Sequence, residues 1–299
     1  MEKETAYSHD AARFLDHLEF ERGASRHTLS AYRGDLVHAE EFFTNLGVGG
    51  WSDLTADHMF RFQASLAPPV APSTARRRIS GLRSLLKWLK RNGGGPAGPL
   101  PSAGGIRSPK RLPKALAWED MEKILATVPG DTAVSLRDRA FLELVYGGGL
   151  RVSEACGLRV EELRMEDQAV MVLGKRGKTR WIPLPAETQT WLRRYLADAR
   201  PVLVKKAVRE LFIGPTGKPM SRQSAYHVVE RAVQRSGVTK HASPHTLRHT
   251  YAVHLVKGGA DLRAVQELLG HASIDTTQVY TQLDTDAVVA DYRKAHPRK

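Results

Sequence analysis

A chain of 299 residues with 41% hydrophobic and 26% charged residues has an ordinary globular composition and the length for two domains, which excludes wholesale disorder and a membrane-embedded protein. The departure is charge: 45 Lys and Arg against 32 Asp and Glu leave +13, which calls for a polyanionic partner and salt-sensitive binding. Nucleic acid stands ahead of an anionic membrane surface, because the basic residues are interleaved with helical apolar spacing rather than gathered beside a hydrophobic anchor.

The N-terminal stretch MEKETAYSHDAARFLDHL lacks the apolar core of a signal peptide, and no segment approaches the roughly 20 apolar residues of a membrane span, so a cytoplasmic protein without a membrane partner is expected. Residues 7 to 46 predict two amphipathic helices, the first carrying Phe14, Leu15 and Leu18, the second Leu29, Tyr32, Leu36 and Phe43 behind a Ser25 or Thr28 cap. Trp51 to Leu66 predicts a third, shorter helix. A fourth begins at a Ser73 cap, buries Ile79, Leu82, Leu85, Leu86 and Leu89, and ends at the glycines from Gly93. Its other face carries Arg76, Arg77, Arg78, Arg83, Lys87, Lys90 and Arg91 in sixteen residues without an acid. Most charge runs are solvated faces. This one has no acids to relieve its self-repulsion, which puts contact with a phosphate backbone ahead.

Asn92 to Lys110 is dense in Gly, Pro and Ser and reads as a linker, either a hinge for two domains closing on a duplex or a mere spacer. The expected organisation is a helical domain at 1–91, the linker at 92–110 and a second domain at 111–299. In the second domain, Trp118 to Val128 and Leu136 to Tyr146 predict helices, and Leu150 to Leu158 another with Arg151 in its first turn. Ala169 to Leu173 and Thr179 to Leu184 are β-rich runs flanking Lys175, Arg176 and Lys178, the pattern of a hairpin with a basic tip. Helices follow at Ala186 to Leu196 and Ser221 to Gly237, with Leu211 to Ile213 as a candidate edge strand. The single cysteine, Cys156, excludes an internal disulfide and is expected to be a buried thiol.

Between Ser243 and Tyr280 the chemistry concentrates. Ser243 before Pro244 predicts a capped helix on which His245 and Arg248, three apart, share a face; Gly258 and Gly259 stop it. Asp261 caps a second helix with an apolar stripe of Leu262, Val265, Leu268 and Leu269, closed by a left-handed Gly270 and followed at once by His271. Asp275 can cap a third, short helix carrying Tyr280. Two histidines, an arginine and a phenol in one helical unit form a set suited to phosphate chemistry.

The strings YGGGLRVSEACGL, LGKRGKTRWIPL, HTLRH, LLGHASIDTTQVY and the ending AHPRK together resemble the tyrosine recombinases, specifically the bacterial Xer site-specific recombinases, leaning to the XerC type over XerD. The likeness spans nearly the whole chain. It implies a mostly α, two-domain architecture: a helical SAM-like core-binding domain, and an α+β catalytic domain containing a small β-hairpin. It implies Arg151 and Arg248 on the non-bridging oxygens, where rigid guanidinium forks suit the charge of a pentacoordinate phosphorus. It assigns Tyr280 as nucleophile forming a 3′-phosphotyrosyl link, His245 as general base, His271 as phosphate donor and Lys175 as the acid protonating the leaving 5′ oxygen. No metal, cofactor or ATP is required. Arg76, Arg77, Arg78, Arg83, Lys87, Arg176 and Lys178 become candidate DNA contacts.

By the same resemblance the enzyme works as a homo- or hetero-tetramer on two short duplex sites, resolving chromosome dimers at a dif-like site during cell division. A second Xer recombinase and a DNA translocase of the division machinery would be its partners. Residues 284 to 299, with Val288, Val289 and Tyr292, resemble a tail that docks into a neighbouring subunit, ahead of a capping helix of their own domain. The rivals are a phage or plasmid integrase with the same chemistry, a type IB topoisomerase-like nicking-closing enzyme and a non-catalytic DNA-binding regulator. Each residue also has a plain reading. Tyr280 can be an ordinary helix tyrosine, Arg151 can pair with Glu154, and His271 can cap carbonyls. His245 and His249 have a zinc-compatible spacing but lack the glutamate of HExxH. Six residues in the family's order outweigh these separately plausible alternatives.

Overall fold

The computed structural model describes residues 6–98, 115–174, 179–240, 242–270, 292 and 294–298. They belong to two compact units, Met1–Lys110 and Arg111–Lys299, each with its own hydrophobic core.

The first unit is built from α1 (Ala6–Asp16), which runs into a π-helical turn at His17–Glu21, α2 (Arg26–Asn45), α3 (Ala56–Ser65) and α4 (Pro72–Arg91). Of the two proposed caps for α2, Ser25 is the one used: its Oγ accepts the Thr28 amide at 3.3 Å. The helix expected from Trp51 is split. Trp51 is buried and its indole donates to the Tyr7 carbonyl at 3.0 Å, which holds Trp51–Asp53 as a separate 3-10 turn; Thr55 then caps α3 by accepting the His58 amide. α4 starts before the predicted Ser73 cap, with Pro72 in its first turn and Ala71 at the cap position. Proline's fixed φ favours that place over a serine cap one residue later. The predicted stripe from Ile79 to Leu89 is buried against Leu36, Phe43 and Phe62.

The second unit contains α5 (Trp118–Ala126), α6 (Ala133–Gly147), α7 (Val152–Gly157), β1 (Leu163–Arg164), β2 (Ala169–Leu173) and β3 (Thr179–Pro183). α8 (Ala186–Arg194), α9 (Arg200–Leu203), α10 (Arg222–Ser236), α11 (Pro244–Lys257) and α12 (Leu262–Leu269) follow. The strands form an antiparallel sheet in the order β1-β2-β3, with Val170 opposite Ile182 and Val172 opposite Arg180. β1 was not anticipated; at two residues it is too short to show alternation. α6 is buried on every side from Leu136 to Gly147, and its charged residues are accordingly paired, Arg137 with Asp138 and Arg139 with Glu143.

Leu211 to Ile213 do not form the expected edge strand; only isolated bridges pair Arg159 with Glu210 and Ile213 with Pro219. Side chains take over much of a ladder's work. Tyr195 and Arg200 donate to the Leu211 carbonyl at 2.9 and 3.1 Å, and Arg137 donates to that of Ile213 at 3.1 Å. Leu262, predicted within the apolar stripe of α12, is exposed, whereas Val265, Leu268 and Leu269 are buried. Cys156 is buried, and burial pushes its thiol up to about 11.

The described tail residues make contacts within their own unit. Tyr292 donates to the Gly147 carbonyl at 2.7 Å, and Arg298 reaches the fully buried Glu143 at 2.7 Å. An enclosed carboxylate demands cations, and Arg298 joins Arg139 in meeting that demand. Val288 and Val289 lie outside the described residues. No helix among the described residues is long and apolar enough to cross a membrane.

Candidate active site

The site begins where α6 gives way to α7. Gly149 turns the chain at φ +59°, and a Cβ there would meet the Tyr251 ring at 2.3 Å, so only glycine brings the backbone this close to α11. Arg151 follows as the N-cap of α7, one position outside the first turn in which the sequence puts it. Three residues on, Glu154 accepts the Arg151 backbone N–H and its Nη1, both at 2.8 Å. A carboxylate at this place satisfies an orphan amide and complements the positive end of the helix. The pairing set out above as the plain alternative for Arg151 is therefore present, and it is part of a larger assembly.

α11 and β3 supply the rest. Ser243 caps α11 by accepting the Thr246 amide at 3.3 Å, with Pro244 in the first turn, as expected. One turn on, Arg248 donates through Nη1 to the Gly149 carbonyl at 2.6 Å and through Nη2 to the Leu269 carbonyl, and Nη1 stands 3.8 Å from Glu154. Arg180 of β3 donates to both Glu154 oxygens, at 3.2 and 3.0 Å, and through Nε to the Leu268 carbonyl at 2.9 Å. Arg151 Nη2 lies 3.4 Å from the Gly270 carbonyl. The carbonyls at the C-terminal end of α12 have no partners within the helix, and guanidinium donors occupy them in succession, which also suits the negative end of the helix dipole. Gly270 closes that helix in the left-handed conformation the sequence predicts, at φ +64°.

Three guanidiniums about one carboxylate leave a local excess of two positive charges. Burial pulls Arg248 down to about 10, Arg151 adds to that, and Glu154 opposes it; the group stays protonated at neutral pH. Burial raises the Glu154 carboxyl, but hydrogen bonds from Arg180 and Arg151 outweigh it and hold the group below its ordinary range. Arg151 is the most open of the three, its side chain 32% exposed against 14% for Arg180 and 10% for Arg248. The arrangement is a fixed, partly desolvated cationic surface with one accessible fork, suited to an anion that carries charge on several oxygens.

His245 is exposed on the first turn of α11, one turn before the buried Arg248. Lys175, Arg176, Lys178, His271 and Tyr280 lie outside the described residues. In the first unit Arg76, Arg77 and Lys87 are exposed, while Arg78 and Arg83 are half-buried. Arg180 had no place among the residues chosen from sequence. Its signal was available: in Thr-Arg-Trp-Ile-Pro-Leu, strand alternation puts Arg180 on the same inward face as Ile182, where a charge needs a partner.

The profile of the Phage integrase family matches residues 114–286, and that of the Phage integrase N-terminal SAM-like domain matches residues 11–93. The chain is 38% identical over 297 residues to Tyrosine recombinase XerD of Corynebacterium glutamicum, covering 96% of this chain and 98% of that one. It is 37% identical over 290 residues to Tyrosine recombinase XerC of Myxococcus xanthus, covering 96% and 97%. Relatives of the XerC and XerD types thus stand almost level. Among solved structures, XerH bound to palindromic difH substrate in a post-cleavage complex matches with a TM-score of 0.70 at 20% identity, over 95% of this chain and 85% of that one. The Tn1549 transposon integrase with circular intermediate DNA matches with a TM-score of 0.70 at 18% identity, over 94% and 98%. At these identities the structures speak for the fold, which is the expected mostly helical one with a small antiparallel sheet.

Proposed function

The chain belongs to the phage integrase family and is a tyrosine recombinase, a DNA strand-exchange enzyme; from that premise we propose an Xer-type recombinase that resolves chromosome dimers at a dif-like site during cell division. The observation that carries the chemistry is the convergence of Arg151, Arg180 and Arg248 on Glu154. In the proposed step the Tyr280 oxygen attacks phosphorus while its proton passes to His245. Arg151 and Arg248 take up the charge on the non-bridging oxygens, with His271 as a further donor. The bond to the 5′ oxygen breaks and Lys175 protonates it. The phosphotyrosyl bond conserves the energy of the one broken, so a 5′-hydroxyl from a second strand reverses the step without ATP or a metal.

The domains proposed are a core-binding domain at 1–91, a linker at 92–110 and a catalytic domain at 111–299. The proposed assembly is a tetramer on two duplex sites, with a second Xer recombinase as partner and a DNA translocase as activator. A monomeric nicking-closing enzyme is the second reading, to which the contacts of Tyr292 with Gly147 and of Arg298 with Glu143 inside one unit also correspond.

Site DNA nicked so that the cut fragment diffuses away, incubated in EDTA with wild type and with Tyr280→Phe, tests the chemistry on a denaturing gel. A covalent protein–DNA band from wild type alone is expected. Binding without a band, even with a second recombinase present, overturns the Tyr280 assignment. Exchange of strands between two labelled duplexes separates recombinase from nicking-closing enzyme.

A further inference from the structure

The cations of α4 fall into two kinds. Arg83, Lys87, Lys90 and Arg91 make no ion pair among the described residues, and Arg76 bonds only to the carbonyl of Pro72 in its own helix, at 3.3 Å. With no carboxylate beside them among the described residues, these side chains keep their full charge, which suits phosphates. Arg77 is held. Its Nη1 lies 2.6 Å from Asp35 Oδ2 and 3.3 Å from the Ala31 carbonyl, both on α2. Asp35 is only 3% exposed, so its carboxylate has almost no water to turn to and fixes the guanidinium from below. Nε and Nη2 of Arg77 have no partner among the described residues, and the side chain is 49% exposed. Beside it opens a cleft of about 410 Å³ between α2 and α4, lined by His27, Thr28, Tyr32, Asp35, Arg77 and Ser80.

Arg78 has a different part. Its Nη1 meets His38 at 2.9 Å, its Nε stands 4.0 Å from Asp35, and its side chain is 24% exposed, so it is largely spent inside the unit.

Pairing with a buried carboxylate has two effects on Arg77. It cancels much of the net charge, which makes the residue a poorer phosphate ligand than its neighbours. It also fixes the direction of the remaining donors, which a phosphate does not need, because its oxygens accept from many directions. A base edge does need it: guanine presents O6 and N7 at fixed positions in the major groove, matched by two donors of one planar fork. We infer that Arg77, held by Asp35 across the α2–α4 interface, reads a guanine in the recombination site, while Arg76, Arg83 and Lys87 contact its phosphates. This assignment rests on the reading of the chain as a site-specific recombinase.

Selection of bound duplexes from a randomised pool tests it, using the full chain as wild type, Arg77→Lys, Asp35→Asn and Arg83→Ala. Wild type is expected to enrich a guanine at one position of each half-site. Arg77→Lys keeps the charge and loses the fork, so the guanine preference there falls about tenfold or more while other positions and the salt dependence stay as they were. Asp35→Asn weakens the same position and no other. Arg83→Ala leaves every base preference intact and lowers the slope of log affinity against log salt by about one. If wild type enriches a site and Arg77→Lys enriches the same one undiminished, the role of Arg77 is refuted and the recombinase reading stands. Uniform loss across all positions in Arg77→Lys, with a lowered melting temperature, makes the pair a structural clamp and refutes base reading too. If wild type enriches nothing and forms no covalent adduct, the recombinase reading falls and takes this assignment with it.

Discussion

Arg180 grips both carboxylate oxygens of Glu154, at 3.2 and 3.0 Å, while its Nε holds the Leu268 carbonyl at 2.9 Å. One guanidinium thereby ties β3 to α7 and to the end of α12. Glu154 is also the anchor of Arg151, so the orientation of the most open arginine depends on a residue that faces inward from the sheet.

Arg180→Lys preserves the charge but not the three-point grip. It is expected to bind DNA nearly as wild type does and to form the covalent adduct at least tenfold more slowly, a loss of about 1.4 kcal/mol or more of transition-state stabilisation. Arg180→Ala leaves a buried carboxylate short of a partner and is expected to destabilise the second unit by about 3–5 kcal/mol. Single-turnover cleavage and chemical denaturation measure the two effects; wild-type cleavage by Arg180→Lys would refute the positioning role.

Much of this was legible beforehand, for identifiable reasons. Helix starts with a side-chain cap followed by proline, such as Ser243-Pro244, and stops with a glycine free to turn left-handed, such as Gly270, are local devices that the structure reproduces. Arg151 and Arg248 carry a resemblance in their neighbouring residues, and they do meet at one carboxylate. What was not legible depends on distant segments. The Leu211–Ile213 run reads as a strand because its composition is right, yet side chains of Tyr195, Arg200 and Arg137 take up its carbonyls. The charge run of α4 reads as uniform because the acid that divides it, Asp35, lies on another helix.

Gly149→Ala tests the close approach of α7's leading turn to α11. Its φ of +59° penalises any side chain, and the new methyl would stand 2.3 Å from the Tyr251 ring. A destabilisation of about 2–4 kcal/mol is expected, read as a lower unfolding midpoint. Because the Gly149 carbonyl accepts from Arg248 at 2.6 Å, adduct formation should fall further than the lost stability accounts for. Adding Tyr251→Leu should recover part of the stability; no recovery would mean that the ring is not the obstacle.

The half-buried His254 and the buried His296 give stability a defined pH dependence. His254 donates from Nε2 to the Leu116 carbonyl at 3.0 Å, and because burial lowers its pKa the ring is neutral at pH 7, with Nδ1 accepting the Tyr146 hydroxyl at 2.7 Å. Burial lowers its pKa, and burial, with Arg298 nearby, pulls that of His296 down to about 3. In the unfolded chain both titrate near the ordinary value of about 6.5. Above that pH neither state binds the proton. Below it the unfolded state binds protons that the folded state refuses, so stability falls as pH drops from about 6.5 toward 3 for His296, by up to about 1.4 kcal/mol per pH unit, and His254 adds to the decline just below 6.5. Urea midpoints at pH 7.5 and 5.5 should show the decline in wild type and a smaller one in His296→Phe. Equal declines would show that His296 is not held neutral.

Gly258→Ala addresses where the tail sits. The φ of Gly258 is −75°, ordinary for alanine, so the backbone offers no objection. The obstacle is the tail itself: a Cβ at this position would lie 2.1 Å from the Ala295 carbonyl oxygen. The substitution is therefore expected to displace residues 292–298 while leaving α11 intact. Losing the burial of Tyr292 should cost about 2–3 kcal/mol of unfolding free energy, and trypsin should cut at Lys294 faster than in wild type. Arg298→Ala should loosen the same segment from its other end, by removing the 2.7 Å contact with Glu143. The two variants also bear on assembly. A tail freed from its own unit is available to a second subunit, so Gly258→Ala should raise the fraction of higher oligomers on site DNA if the tail serves as the link, and should leave a monomeric nicking-closing enzyme monomeric. Trypsin sensitivity unchanged from wild type in both variants would show that neither Gly258 nor Arg298 holds the tail in place.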